Sequence, residues 1–388
     1  MIDYGFTEEQ LMIQELARQI AEEKVRPLRA KLDEEGTHSP ELMKILAESD
    51  LFAIFIPEEY GGLGGGALEL CIVTEELSKV CGGVAVSYAA TALGAYPIII
   101  GGSEEQKKKY LPAIASGETL AAFGITEPNA GSDAGGTETT AVKDGDSYIL
   151  NGSKIFITNG GVADTYTVIA MTNRSKGARG ASAFILEKGM EGFEFGKEED
   201  KMGIRASATR ELVFTDCRVP AENLISREGM GFVLAMKTFD HSRPGIGAQA
   251  VGIAQGALNE AVEYASGRIQ FGQPISSFQA IRHLIADMAT KIEAARNLVY
   301  RAAAVVDSGA KNMSKISAMS KLFASEVAME VTTNAVQIFG GYGYMREYPA
   351  EKFMRDAKIT QIYEGTSQIQ REVIGLETIK EAKSRAKK

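Results

Sequence analysis

The spacing of apolar residues changes its period twice along this chain. Up to about residue 120 it is helical. Thr7 and Gln10 form a capping box ahead of Ile13, Leu16 and Ile20. Ser39 followed by Pro40 opens a second helix through Leu42, Ile45 and Leu46, and Ser103 with Gln106 makes another box. From Ala121 to about Asn223 the signals are short strands and turns. Asp144-Gly145 sits between Thr140-Ala141-Val142 and Tyr148-Ile149-Leu150, which predicts a hairpin. Asn151-Gly152 and Asn159-Gly160 predict further turns bracketing a strand from Lys154 to Thr158. The runs TYTVIAMT, ASAFILEK, FEFG and ELVFTDCRV complete the texture of a small barrel or sandwich. After Gly231 the helical period returns. Between about Ser277 and Asp307, Phe278, Ile285, Ile292 and Val299 step by seven, interleaved with Ile281, Met288 and Ala295. Those two rows are the seam of an antiparallel helix bundle. The expected order is helices over 1–120, a β-domain over 121–230 and a helix bundle over 231–388.

Composition narrows the function classes. The 388 residues carry a formal net charge of -9 with the signs well mixed, which argues against nucleic acid as a partner. The one basic cluster, Lys380 to Lys388, reads as a solvated end. The three cysteines, Cys71, Cys81 and Cys217, are too sparse for a disulfide framework and have no metal-ligand spacing. His38, His241 and His283 lack a second ligand at motif spacing, so no metal site is expected. His283, beside the bundle seam, reads as structural or as a subunit contact. No uninterrupted apolar run is long enough to span a bilayer, and the first residues lack the basic start of a secretory signal. No membrane insertion is expected, and the chain reads as cytoplasmic.

Four segments carry candidate chemistry. Gly62-Leu-Gly64-Gly-Gly-Ala67 loosely matches a dinucleotide fingerprint. No strand precedes it, so it reads as a surface loop entering a helix. Gly124 to Gly136 combines Thr126, Glu127, Ser132 and Asp133 with freed glycine backbone. Such a stretch can present N–H groups and hydroxyls to a planar polar ligand and its phosphates; the plainer reading is an elaborate turn with Asp133 as a cap. Gln337 to Asp356 breaks an apolar helix at Gly340, Gly341 and Gly343, then resumes helical spacing with Glu347, Lys352 and Asp356. Alone, it reads equally as a C-cap and a salt-bridged helix start. In the strip Gln361 to Gln370, Glu364 is the one charge, flanked by Ile362, Tyr363 and Gly365. On spacing alone it is a loop glutamate hydrogen-bonded to Thr366 or Ser367. The alternative is a dried carboxylate whose pKa rises into the range of a general base.

Together these residues resemble the acyl-CoA dehydrogenase family of flavoproteins, over essentially the whole chain. Gly124–Gly136 and Gln337–Asp356 look like its two signatures, and Glu364-Gly365-Thr366 looks like the catalytic Glu-Gly-Thr of its short- and medium-chain members. The resemblance implies an α+β multidomain fold: an N-terminal all-α domain, a middle β-barrel and a C-terminal four-helix bundle. It also implies a homotetramer, built as a dimer of dimers, with FAD held partly by a neighbouring subunit. The match places the flavin ring against Phe123, Ile125 and Thr126 on one side. Phe156, Ile157 and Thr158 form the other wall, with Phe156 where many relatives carry Trp. Arg268, Gln270, Phe271 and Gln279 would reach a neighbour's FAD, and Gln337, Gly340 and Gly341 would hold its adenosine end. Thr366 and Gln368 would complete the flavin site. Ser132 and the stretch Asp240-His241-Ser242-Arg243 would meet the ligand's phosphates and the CoA moiety.

The implied reaction is α,β-dehydrogenation of an acyl-CoA thioester. Glu364 is the implied base, and an electron-transferring flavoprotein is the implied acceptor. Some relatives carry the base at the position of Ser242, which cannot serve. Tyr363, Gly365 and the helix VAVSYAATALGA (84–95), with Thr91 as its mildly polar member, are expected at the acyl end. That helix holds no Arg for a second carboxylate and no acid for 1,4-chemistry. A short straight, branched or small alicyclic acyl group is expected. Two rivals remain: an acyl-CoA oxidase, and a non-catalytic member that binds nucleic acid.

Overall fold

The computed structural model describes residues 5–386. The first four residues and the last two lysines of the basic tail lie outside the described residues. Helices come first: α1 Glu8–Ile20, α2 Arg29–Glu35, α3 Pro40–Glu48, α4 Ala67–Ser78, α5 Gly82–Gly101 and α6 Glu104–Ala115. The local signals hold. Thr7 and Ser103 cap α1 and α6 in full capping boxes, and the Ser39 hydroxyl accepts from the Leu42 N–H. The helix α5 is apolar on nearly every face. It is long and apolar enough to cross a membrane, with a mean hydropathy of 1.6, yet 78% of that window is buried inside the protein. It is the core helix of the N-terminal layer, packed on α4, α7 and β1.

A single sheet of eight strands follows: β1 Ala121–Gly124, β2 Thr140–Asp144, β3 Ser147–Thr158, β4 Thr165–Met171, β5 Ala181–Glu187, β6 Phe193–Glu198, β7 Thr209–Pro220 and β8 Leu224–Ile225. Its order is β6-β7-β3-β2-β4-β5-β8, with β1 parallel to β4. One face folds over a core of Tyr148, Tyr166, Phe184, Phe193 and Phe214; the other packs on α5 and α7. The Asp144-Gly145 hairpin forms, pairing Asp144 with Ser147. The turn expected at Asn151-Gly152 is instead a bulge inside a continuous β3. Gly152, at φ +137°, lies where a Cβ would come within 2.7 Å of the Thr139 hydroxyl. Asn-Gly supplies positive φ, which suits a bulge as well as a turn. A second irregularity, between Lys154 and Ile157, gives Phe156 a φ of 60°.

The last layer is α7 Gly231–Gly267, a ribbon of β9 Ile269–Gln270 with β10 Gln273–Pro274, α8 Gln279–Asp307, α9 Met313–Phe339, α10 Ala350–Ile359 and α11 Ser367–Arg385. The heptad rows of α8 bury Met288, Ile292, Ala295 and Val299, while His283 stands exposed. Pro244 inside α7 cannot donate to the Asp240 carbonyl one turn back. The Ser317 hydroxyl from α9 supplies that bond at 2.8 Å.

One buried ion pair braces the sheet layer and another joins it to α10. Lys154 and Glu127 meet at 2.5 Å, and Glu127 also accepts from the Glu138 and Thr139 N–H groups. Burial pulls the Lys154 ammonium down to about 8, against the opposing pull of Glu127. Lys352 and Asp356 pair at 2.6 Å, and Asp356 also accepts from the Ile204 N–H. Of the charges after Gly343, Lys352 and Asp356 thus form a buried clamp between α10 and the β6–β7 loop, while Glu347 is exposed. The glycine loop before α4 is closed by this chain itself, since Asp307 accepts from the Ala67 and Leu68 N–H groups at 2.7 and 3.1 Å.

Candidate active site

Glu364 sits on the loop between α10 and α11. Thr366 caps α11 through its hydroxyl, which accepts from the Ile369 N–H. Just before that cap, Glu364 and Gly365 both take positive φ, 51° and 94°. A non-glycine residue there costs on the order of 1 kcal/mol or more, and such residues concentrate at functional sites. Donors from three helices hold the turn. The Glu364 carbonyl accepts from Arg243 Nε at 3.3 Å and from Gln370 Nε2 at 3.1 Å. The Gly365 carbonyl accepts from Gln370 Nε2 at 3.0 Å and from Lys321 Nζ at 2.7 Å.

The carboxylate is treated differently from the carbonyls. Its Oε2 accepts one hydrogen bond, from the Ser242 hydroxyl at 2.6 Å. Neither Thr366 nor Ser367 reaches it, so the simple loop reading does not hold. Burial raises the Glu364 pKa, while Ser242, Arg243 and Lys321 pull it back. The Glu364 N–H donates to no acceptor among the described residues.

The carboxylate faces a cavity of about 100 Å³. From α5 come Val86, Ala89, Ala90 and Leu93; from the β1 edge, Phe123, Ile125 and Thr126; from the end of β3, Phe156, Ile157 and Thr158. Phe239 and Ile246 of α7 and Tyr363 close it. The Tyr363 hydroxyl donates to Gln249, whose amide donates to the Gly82 carbonyl, tying the Glu364 loop to α5. Phe156 is 63% exposed and separates this cleft from a second cavity of about 320 Å³ between the sheet and α10.

Thr91 does not line the cleft, which corrects the expectation for it. It is fully buried on the opposite face of α5, where the Asn159 side-chain amide donates to its hydroxyl at 3.2 Å. The same amide donates to the Ser87 and Ala121 carbonyls. Asp240 and Arg243, expected at the CoA moiety, also turn inward. They pair with each other at 3.2 Å, Asp240 accepts from Ser314, and Arg243 is spent on the Glu364 carbonyl. Ser132 is exposed on the β1–β2 loop. Gln368 is exposed on the first turn of α11.

Arg268 and Gln270 come together with Gly340 and Gly341 around a separate cleft of about 530 Å³, which shares no lining residue with the first. The Arg268 guanidinium lies 5.4 Å from the Tyr342 ring centre. Phe271 is 93% exposed at positive φ, and Gln279 and Gln337 are exposed nearby in sequence. Nothing lies within 4 Å of a Cβ added at Gly340 or Gly341, so the space over them is open. No group of three metal-type ligands is gathered among the described residues.

Sequence reasoning missed Lys321, Gln370, Gln249 and Asn159. Lys321 carried one signal: it falls in helical register with Ser317, Ala324 and Ala328, a buried row of small residues. The others are neutral amides; Asn159 was read only as part of an Asn-Gly turn, and Gln249 and Gln370 carry no signature of their contacts.

Comparison with known proteins agrees with this geometry. The models of the acyl-CoA dehydrogenase N-terminal, middle and C-terminal domains match residues 7–118, 122–217 and 229–378. The short-chain specific acyl-CoA dehydrogenase of Clostridium acetobutylicum is 52% identical over 374 residues, covering 96% of this chain and 98% of that one. The solved butyryl-CoA dehydrogenase of Megasphaera elsdenii is 50% identical, with a TM-score of 0.95 over 97% of this chain and 100% of that one. A chain from the structural study of the electron transferring flavoprotein of Acidaminococcus fermentans is 55% identical, with a TM-score of 0.95 over 96% and 98% of the two chains. The chain belongs to the acyl-CoA dehydrogenase family of flavoprotein oxidoreductases.

Proposed function

We propose that this enzyme removes the α and β hydrogens of a short, straight acyl-CoA thioester of the butyryl type, with Glu364 as the α-proton base. One observation carries the reading: a carboxylate at the wall of a small apolar cleft, with a single hydrogen bond and a pKa raised by burial. The narrow cleft and its small α5 residues favour a short unbranched chain over the branched and alicyclic groups. The short-chain relatives lend the same support.

The residues present fit FAD. Phe156 offers an open apolar face beside Thr158, opposite Phe123, Ile125 and Thr126, as a flat ring system requires. When bound, FAD supplies the hydride acceptor for the β-carbon. The open glycines Gly340 and Gly341, with Arg268 and Gln270, would hold the adenosine end of a second subunit's cofactor in a homotetramer. Ser132, Phe271, Gln279, Gln337, Thr366 and Gln368 are the remaining proposed contacts.

The chain's own part is proton chemistry and placement. The apolar walls exclude water around the α-carbon. The Glu364 N–H is available to polarise the thioester carbonyl, which acidifies the α C–H. The carboxylate, kept basic by desolvation, takes that proton. The Glu364-Gly365 turn fixes the carboxylate's position against the cleft. An electron-transferring flavoprotein takes the electrons, and the cytoplasm is the proposed compartment.

The test is a panel of acyl-CoA thioesters, from acetyl to lauroyl, screened anaerobically for bleaching of the yellow protein and then exposed to air. Butyryl-CoA should bleach it fastest. Fast peroxide formation in air would replace this reading with the oxidase. Glu364→Gln should keep the flavin and lose roughly 10²- to 10⁴-fold in turnover. Retention of about a tenth of the wild-type rate would remove the base assignment.

A further inference from the structure

Lys321 is fully buried on the inner face of α9, yet none of the ion pairs among the described residues includes it. A buried ammonium without a counter-ion is costly, and a methionine of similar length would pack the same space at no such cost. Its one hydrogen bond among the described residues goes to the Gly365 carbonyl, the peptide immediately after Glu364. The charged groups around it are few. Arg243 faces it from α7 and is paired with Asp240. Glu364 faces it from the base loop. Glu326, on its own helix, is paired with Arg371 of α11 at 3.5 Å. Gln370 of α11 shares the Gly365 carbonyl and is neutral.

We propose that Lys321 is a positioning residue for Glu364: its buried ammonium holds the left-handed turn from behind through the Gly365 carbonyl and supplies positive charge behind the carboxylate. The inference rests on the reading of Glu364 as the base. Burial pulls Lys321 down to about 7 while Glu364 pulls it back up, and Lys321 in turn lowers Glu364. Each group therefore favours the charged form of the other. Removing the positive charge makes the carboxylate harder to ionise, so the acid limb of kcat/KM moves to higher pH. A lysine present only for packing, or only for its hydrogen bond, would not move that limb.

The experiment compares K321M, K321Q and K321R holoenzymes with wild type and E364Q. It records kcat/KM for butyryl-CoA against pH, together with flavin content and thermal midpoint. K321M and K321Q should each move the acid limb up by about half a unit to one unit, although only K321Q retains a neutral donor for the Gly365 carbonyl. K321R should return the limb to its wild-type place. If K321M loses flavin, the contrast of K321Q with K321R still separates charge from hydrogen bond. Acid limbs of K321Q and K321R within about 0.2 unit of each other overturn the inference. An E364Q variant that keeps the wild-type profile overturns the underlying base assignment instead, so the two failures are distinct.

Discussion

Ser242→Ala removes the one hydrogen bond that the Glu364 carboxylate accepts among the described residues. Burial raises this carboxyl, and the Ser242 hydroxyl leads the groups that pull it back, ahead of Arg243 and Lys321. A hydrogen bond to a charged group is worth about 1.5–3 kcal/mol, which converts to roughly one or two pKa units. In the free enzyme, water entering the cleft replaces part of that bond, so a rise of about one unit is expected. The profile of kcat/KM reports the free enzyme. Its acid limb should move up by about one unit, with roughly a tenfold loss well below the wild-type pKa and a nearly unchanged alkaline plateau. The same shift has an equilibrium signature. The folded carboxyl lies above its unfolded value, near 4.5. The stability it contributes is therefore complete below that value and lost as pH rises through the folded pKa. Ser242→Ala raises the upper end of that window by about one unit. Above it the variant should lose about 1.4 kcal/mol more than it loses in acid. Thermal midpoints measured across the range would show the difference widening with pH. An acid limb that stays put, or moves down, would refute the claim that Ser242 acts on the ionised carboxylate.

Gly365→Ala places a methyl 2.6 Å from Gln370 Nε2 at a φ of +94°. Turnover should fall at least as far as in Ser242→Ala, with the plateau lowered as well, which steady-state rates at alkaline pH would show. Glu127→Gln leaves Lys154 buried and unpaired, so urea unfolding should show a loss of about 3–5 kcal/mol, partly recovered by adding Lys154→Met. Ala90→Leu fills much of the cleft beside Phe123; acyl-CoA competition should show butyryl-CoA losing roughly 10- to 200-fold against propionyl-CoA.

The parts of the fold legible in the sequence are those set by near neighbours. Caps at Thr7, Ser39 and Ser103 and the heptad rows of α8 depend on residues within a few positions, and they stand as read. Glu364 was legible because it is a single charge in an uncharged strip. Thr91 was misplaced because α5 is buried on all sides, so its pattern carries no stripe to say which face meets the cleft. Asp240 and Arg243 were expected at the CoA moiety through the family resemblance, which does not tell which side chains of that stretch turn inward. Here each neutralises the other, and α9 supplies Ser314 and Ser317 to complete them. Lys321 was missed although it shares a helical row with Ser317, Ala324 and Ala328, since a lysine on a helix reads as solvated until the tertiary fold covers it.

The arrangement of donors around Glu364 explains how the carboxylate, as the proposed base, would stay basic beside two cations. Arg243 and Lys321 both reach the Glu364-Gly365 turn, and both bond to its carbonyls. Had either formed a direct pair with the carboxylate, an opposite charge at contact distance would lower its pKa by about 1–3 units and spoil the base. Gln370 adds two more bonds to the same carbonyls from the first turns of α11. The positive φ of Glu364 aims its side chain at the cleft while its carbonyl faces these donors behind it. The strain of that turn is thus offset on its backbone face, and its side-chain face is left with one neutral hydroxyl. A carboxylate held this way keeps a fixed position without being neutralised, and α-proton removal from a weak carbon acid requires both.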